Sequence, residues 1–247
     1  MSTVVITGAN RGLGLGLTKK ALALGHRVLA TARDPDKAAD LQALAGSSAG
    51  KLSLHRLDLG DFAAIDSFAA SLAGTPIDVL LSNGAVTWAG NRPFGATEYE
   101  SWTEHFRVNA MAPMRLAERF ADLVAASSRK TMFFIASRVG PTPAFGHVES
   151  RSSKSAQTQV VYQCALALRP RGIICACAHP GWVATRATGN TGALTADESA
   201  GLLWGVIDRL TLADTGTFFE PDGSTLPIVT QQTAAKPYGM TQPASGR

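Results

Sequence analysis

The sequence predicts an α/β fold, a doubly wound (Rossmann-type) parallel sheet of about seven strands with helices on both faces. Three observations carry that expectation. Short apolar runs alternate with helical patterns along most of the chain. A glycine-rich stretch follows the first apolar run directly. The 247 residues, with no repeat, linker or charge block to divide them, suit one domain with a sizeable core.

The expected strands are Thr3–Thr7, Arg27–Ala32, Leu52–Leu57, Val79–Ser82, Thr131–Ala136, Ile173–Ala178 and Thr217–Phe219. Between them, helical spacing falls near residues 13–24, 35–45, 61–73, 98–126, 152–168 and 196–210. Right-handed crossovers between successive strands would lay these helices on both faces of the sheet. The domain spans residues 1–230. Residues 231–247 are rich in Thr, Gln, Pro and Gly without periodicity, and read as an irregular tail.

Composition narrows the class. Apolar residues make up 45% and charged residues 17%, a globular balance. No run approaches the roughly 18 apolar residues of a membrane-spanning helix, and Met1 leads into Val4–Ile6 and Gly8 rather than a secretory signal. The net charge of +4 is spread too thinly for nucleic-acid or membrane binding, though it suits an anionic ligand. Cys175 and Cys177 alternate within an apolar run, so both face one side of a strand as small hydrophobes. With Cys164 they make an odd number, which sets the cytoplasm as the default compartment. His55, His105 and His179 are too scattered for metal-ligand spacing. Trp88, Trp102 and Trp204 read as packing groups, whereas Trp182 follows a Pro-Gly turn and suits a substrate wall.

The motif Thr7-Gly8-Ala9-Asn10-Arg11-Gly12-Leu13-Gly14 joins the first strand to a helix. Glycines there allow a tight turn and let a pyrophosphate approach backbone N–H groups at a helix N-terminus. This T-G-x-x-x-G-x-G loop resembles the short-chain dehydrogenase/reductase family. The likeness runs on through Asp58-Leu59, Asn109, Ser137, Lys154 and Pro180–Thr185, and the last motif with Phe218–Gly223 is most similar to the carbonyl-reductase-like members.

The resemblance implies a nicotinamide cofactor held by Gly8, Asn10, Arg11, Gly12, Leu13, Gly14, Arg33, Asp58, Leu59, Asn83, Lys154, Pro180, Val183 and Thr185. Charge selects its form. An NAD site wants a carboxylate at the end of the second strand; here Ala32 stands there and Arg33 follows. Arg11 adds a second guanidinium, so NADP(H) is expected. Asp34 serves either the ribose or the cap of the next helix, and Asp58 either the adenine or a turn.

In this family a tyrosine protonates the substrate oxygen, a lysine four residues on lowers the phenol pKa and holds the ribose, a serine orients the substrate and an asparagine joins the proton relay. The resemblance assigns Ser137, Lys154 and Asn109 to these roles. Ser150, however, stands where the tyrosine is expected. An aliphatic hydroxyl is far less acidic than a phenol and shorter by a ring. His147, Glu149 or an ordered water are the nearby replacements, with His147 also placed to touch substrate. A second departure is Ser82-Asn83-Gly84-Ala85, where the family's turn glycine has moved by one position. Three functions follow: an NADP(H)-dependent reductase of a small carbonyl compound with an atypical acid, a non-redox enzyme (isomerase, cyclase, dehydratase or lyase), or a non-catalytic NADP(H)-binding protein. Residues Ala184–Leu194, with Gly189 and Gly192, suit a hinged lid. Relatives pair through the helices near 98–126 and 152–168, so homodimer and homotetramer stand beside monomer.

Overall fold

The computed structural model describes residues 1–87, 93–140 and 146–226; Trp88 and the expected tail 231–247 lie outside them. In chain order the elements are β1 (Thr3–Ile6), α1 (Gly12–Ala23), β2 (Arg27–Ala32), α2 (Ala39–Gly46), β3 (Leu52–Arg56), α3 (Phe62–Ser71) and β4 (Val79–Ser82). Then follow α4 (Tyr99–Phe106), α5 (Ala112–Ala125), β5 (Thr131–Ile135), α6 (Val148–Leu168), β6 (Ile174–Ala178), α7 (Ala196–Arg209) and β7 (Phe218–Phe219).

All seven strands form one parallel sheet in the order β3-β2-β1-β4-β5-β6-β7. The order reverses between β1 and β4, which opens a crevice at their C-terminal ends where such sheets bind ligands. Strand alternation divides the core into two layers. Val5, Leu80, Cys175 and Cys177 face the side covered by α3, α5 and α6. Val4, Ile6, Ala176 and Ala178 face α1, α2 and α7. Both strand cysteines therefore share one face as their spacing required, and all three cysteines are buried free thiols. Trp204 is fully buried in the second layer and donates its indole N–H to the Leu17 carbonyl at 3.0 Å. No helix among the described residues is long and apolar enough to cross a membrane.

Three helices differ from expectation. The long helix expected over 98–126 is broken by a π-helical turn at Arg107–Met111 between α4 and α5. Pro113 explains the break: it has no N–H, and its ring would strike the carbonyl four residues back, that of Asn109. The helix expected over 35–45 becomes a 3-10 turn at Pro35–Lys37 followed by α2, because Ala38 leaves helical dihedrals at φ −92°, ψ 69°. Finally α6 starts at Val148, four residues before the expected 152, with His147 left-handed at its cap (φ 53°).

Candidate active site

At the crevice the glycine loop and the end of β4 are woven together. Gly8 has φ +65°, and a Cβ there would lie 2.6 Å from the Gly84 Cα. A Cβ on Gly14 would collide with the Gly8 carbonyl. Asn83 Nδ2 donates to the Thr7 and Gly8 carbonyls at 3.0 and 3.2 Å, while Thr7 Oγ1 accepts from the Asn83 and Gly84 N–H groups. The displaced glycine thus crosses Gly8 closely, with Leu59 packed on its other side. Thr185 joins from the loop after β6, its methyl 3.3 Å from where a Gly12 Cβ would stand. Gly8, Gly12, Gly14, Asn83 and Thr185 therefore converge, although they come from three loops.

The N-terminus of α1 carries no side-chain cap and no acidic residue in its first turn, with Arg11 extended at the cap position. Its positive end is left for an anion. By contrast, α7 begins with a reciprocal capping box of Thr195 and Glu198. Arg11 and Arg33 are exposed, and neither forms an ion pair with a described residue. Asp34 is occupied differently: Lys37 binds its carboxylate at 2.9 Å and Arg56 at 3.5 Å, and it makes no capping bond. The Lys37 hydrogen bond holds the Asp34 carboxyl below its ordinary range. Asp58 turns one oxygen to the Gly60 N–H at 2.8 Å, closing an Asx turn after β3. Asn10 lies half-buried within the loop, beside partly exposed Leu13.

The chemical end is built around β5 and α6. Ser137 follows β5 and is half-buried, its Oγ accepting from the Val139 N–H at 3.3 Å. Ser150 and Lys154 are both buried one turn apart on α6. Lys154 Nζ points to protein acceptors, donating to the Ile135 carbonyl at 3.0 Å and to Gln157 Oε1 at 2.8 Å. Burial lowers its pKa to about 8. Asn109 is fully buried in the π turn. Its amide donates to the Val86 carbonyl at 2.9 Å and to Ser153 Oγ at 3.1 Å, while its oxygen accepts from the Val86 N–H. The Asn109 side chain thus clamps the segment after β4 to α6. His147 is half-buried at the N-terminus of α6, and Glu149 is buried in its first turn.

Beyond β6, Pro180 accepts from Ser199 Oγ on α7 at 2.6 Å, and Val183 bridges Leu194. Trp182, 45% exposed, donates to the Thr191 carbonyl. Thr188 Oγ1 donates to the Val183 carbonyl, and Ala184 and Leu194 N–H groups close the loop base. Gly192 lies so close to the 182–184 backbone that a Cβ there would collide. The stretch read as a hinged lid is thus a self-bonded loop with Gly192 at its crossing rather than at a hinge.

Sequence reasoning missed the polar cluster beside this loop. Arg138 binds Glu220 Oε1 through Nε and Nη2 at 3.0 and 2.7 Å. Its backbone N–H points at His179 Nδ1 at 3.5 Å. Desolvation lowers the His179 pKa. Arg138, His179, Trp182, Leu202, Glu220 and Ser224 line an open cavity of about 480 Å³. The available signal was position: Arg138, His179 and Glu220 each stand just past the end of a neighbouring strand, β5, β6 and β7. Among the described residues no group of three His, Cys, Asp or Glu side chains is placed to hold a metal ion.

A parallel sheet reversing at β1/β4, a glycine loop into α1, and serine and lysine flanking β5 define a dinucleotide-binding oxidoreductase scaffold. The short chain dehydrogenase family model matches residues 2–195, and the chain belongs to that family. Among solved structures it is similar to the carbonyl reductase Sniffer of D. melanogaster, with a TM-score of 0.85 and 27% identity over 92% of this chain and 99% of that one. An NADPH-bound carbonyl reductase from chicken fatty liver gives a TM-score of 0.85 and 29% identity over 92% and 98%. An uncharacterised oxidoreductase of Schizosaccharomyces pombe is 28% identical over 245 residues, covering 90% of this chain and 96% of the relative.

Proposed function

We propose that this chain binds NADP(H) and reduces the carbonyl of a small organic substrate, with a proton donor other than tyrosine. One observation carries the cofactor choice. Arg11 and Arg33 form no ion pair with a described residue, while the carboxylates just past β2 are engaged, Asp34 by Lys37 and Arg56 and Asp36 by Arg56. A 2′-phosphate would complete two free guanidiniums, whereas a ribose hydroxyl would have to displace an existing ion pair. The glycines fit the pyrophosphate, since side chains at Gly8 or Gly14 would close the cradle. The carbonyl reductases that this chain is similar to include one bound to NADPH.

In this reading Gly12, Leu13 and Gly14 present N–H groups to the pyrophosphate and Arg11 and Arg33 take the 2′-phosphate. Asp58 and Leu59 flank the adenine. Asn83 keeps the glycine loop against β4, and Pro180, Val183 and Thr185 border the nicotinamide. Bound NADPH supplies the hydride. Ser137 orients the substrate oxygen, Asn109 holds the wall formed by Val86, and Trp182 and His147 border the substrate. A general acid contributes about 10² to 10⁴ in rate, so turnover without the phenol is slow.

Titrating the protein with NADPH and NADH by nicotinamide fluorescence tests the cofactor choice. Tighter binding of NADPH is expected, and equal or absent binding would refute it. NADPH oxidation against a panel of aldehydes and ketones tests the reaction. The buried Ser150, standing where a phenol is expected, favours a second reading, a non-redox enzyme or a binding protein on the same scaffold. Substrate turnover with unchanged nicotinamide absorbance, or cofactor binding with no turnover, would establish it.

A further inference from the structure

Among the described residues Lys154 is a buried cation with no carboxylate partner, and its surroundings are specific. Nζ lies at the C-terminal end of β5, where the Ile135 carbonyl, two residues before Ser137, accepts one of its hydrogens. Gln157 Oε1 accepts a second at 2.8 Å, from the next turn of α6. Gln157 is 2% exposed on a helix face whose later members, Val161 and Cys164, are apolar. A buried amide on such a face is costly unless it is bonded, and the Gln157 oxygen is bonded to the lysine. Ser150, one turn earlier, presents a short side chain where the family's tyrosine ring is expected.

We propose that Gln157 is a positioning residue: with the Ile135 carbonyl it holds Lys154 Nζ at the C-terminal end of β5 and sets how readily that amine gives up a proton. The proposal rests on the carbonyl-reduction reading for its chemical purpose. In that reaction the substrate carbon gains a hydride and the C=O π pair moves to oxygen. The oxygen then takes a proton that the Lys154 ammonium releases, and the amine recovers one from water. The alcohol forms as the dihydronicotinamide is oxidised, so atoms and electrons balance.

The electrostatics agree with the geometry. Desolvation brings the Lys154 pKa down to about 8, close enough to neutrality to donate and recover a proton. The titratable groups in electrical reach are Cys177 on β6 and His179 past its end. Burial pushes the Cys177 thiol far up and so keeps it neutral, and desolvation lowers the His179 pKa. Asn109 and Ser153, which pack from the π turn and from α6, carry no charge. The neutral oxygen of Gln157 therefore stabilises the ammonium without locking it as a carboxylate would.

The test is an NMR titration of ¹³Cε-labelled lysines in the full-length protein, with and without NADPH, for wild type, Gln157→Met and Gln157→Glu. Gln157→Met preserves length, and thermal unfolding of each variant checks that it folds. One lysine signal should titrate at least one pH unit below the others and vanish in Lys154→Met. Gln157→Met should move that titration down and Gln157→Glu up by more than about one unit, and the pH–rate profile of NADPH oxidation should follow. A Lys154 signal that titrates with the surface lysines, or that neither variant moves, would overturn the proposal. Shifts of the expected sign in a protein that oxidises no NADPH would sustain the role of Gln157 and sink the carbonyl-reduction reading instead.

Discussion

The two ends of the crevice have met their sequence changes in opposite ways. At the β1/β4 end the turn glycine is displaced by one position, yet Asn83 still bonds the Thr7 and Gly8 carbonyls and Gly84 still crosses Gly8. At the β5/α6 end Ser150 stands where the family resemblance leads one to expect a tyrosine, and Lys154 is bonded to Ile135 and Gln157. The first end is held by the Asn83 amide and the Thr7 hydroxyl bonded to neighbouring backbone groups, none of which belongs to a side chain at position 84, so a shifted glycine is absorbed. The second depends on one side chain's length and acidity, which no neighbouring backbone group replaces.

The largest expected effect would erase that contrast. Ser150→Tyr restores a phenol one helical turn from Lys154, and should raise NADPH-dependent carbonyl reduction by about 10² to 10⁴. Steady-state rates on the carbonyl panel measure it, and a rate unchanged from wild type would mean that the two ends differ for another reason. Gly14→Ala attacks the other end. Its methyl meets the Gly8 carbonyl, so NADPH affinity should fall more than tenfold and unfolding free energy by about 1–3 kcal/mol, read by fluorescence titration and urea denaturation.

Arg33→Ala and Arg11→Ala sharpen the cofactor choice within the tolerant end. Each removes charge-assisted hydrogen bonds worth about 1.5–3 kcal/mol, so NADPH should bind roughly ten- to a hundredfold more weakly, with NADH little affected. Equal losses for both nucleotides would place neither arginine on the 2′-phosphate.

The smallest effect concerns pH and lies away from the crevice. His26 packs on Trp204 at 5.4 Å, accepts from the Ser2 N–H at Nδ1, and has its pKa lowered first by desolvation. A folded-state pKa below the unfolded 6.5 means that the unfolded chain binds the extra proton. Stability from neutral His26 is therefore present above about pH 6.5 and declines as pH falls through that value. Urea midpoints at pH 7.5 and 5.5 should differ less in His26→Phe than in wild type.

Much of the fold was legible because strands and glycine loops are local patterns. The alternation of Cys175 and Cys177 placed both in one core layer, and Thr7–Gly14 opened α1 as its glycines require. The break at Arg107–Met111 was less visible, because the helical periodicity runs across it while Pro113 acts on a carbonyl four residues earlier. Asn109 was found by motif, yet its bonds to Val86 and Ser153 join residues 23 and 44 positions away. The state of Asp34 was undecidable from the chain, since Arg56 reaches it from the next strand.

The sequence by itself determined the family scaffold, the basic residues beside the glycine loop and the serine at position 150, because each depends on which residue stands at which place in a local motif. The direction of Lys154, its partnership with Gln157 and the Ile135 carbonyl, and the Arg138–Glu220–His179 cluster were decided only by the tertiary structure. The physical reason is that hydrogen bonding and desolvation act over a few ångströms of space, whatever the separation along the chain. The lysine's identity is written in the sequence, but its proton affinity is set by β5, β6 and α6 closing around it.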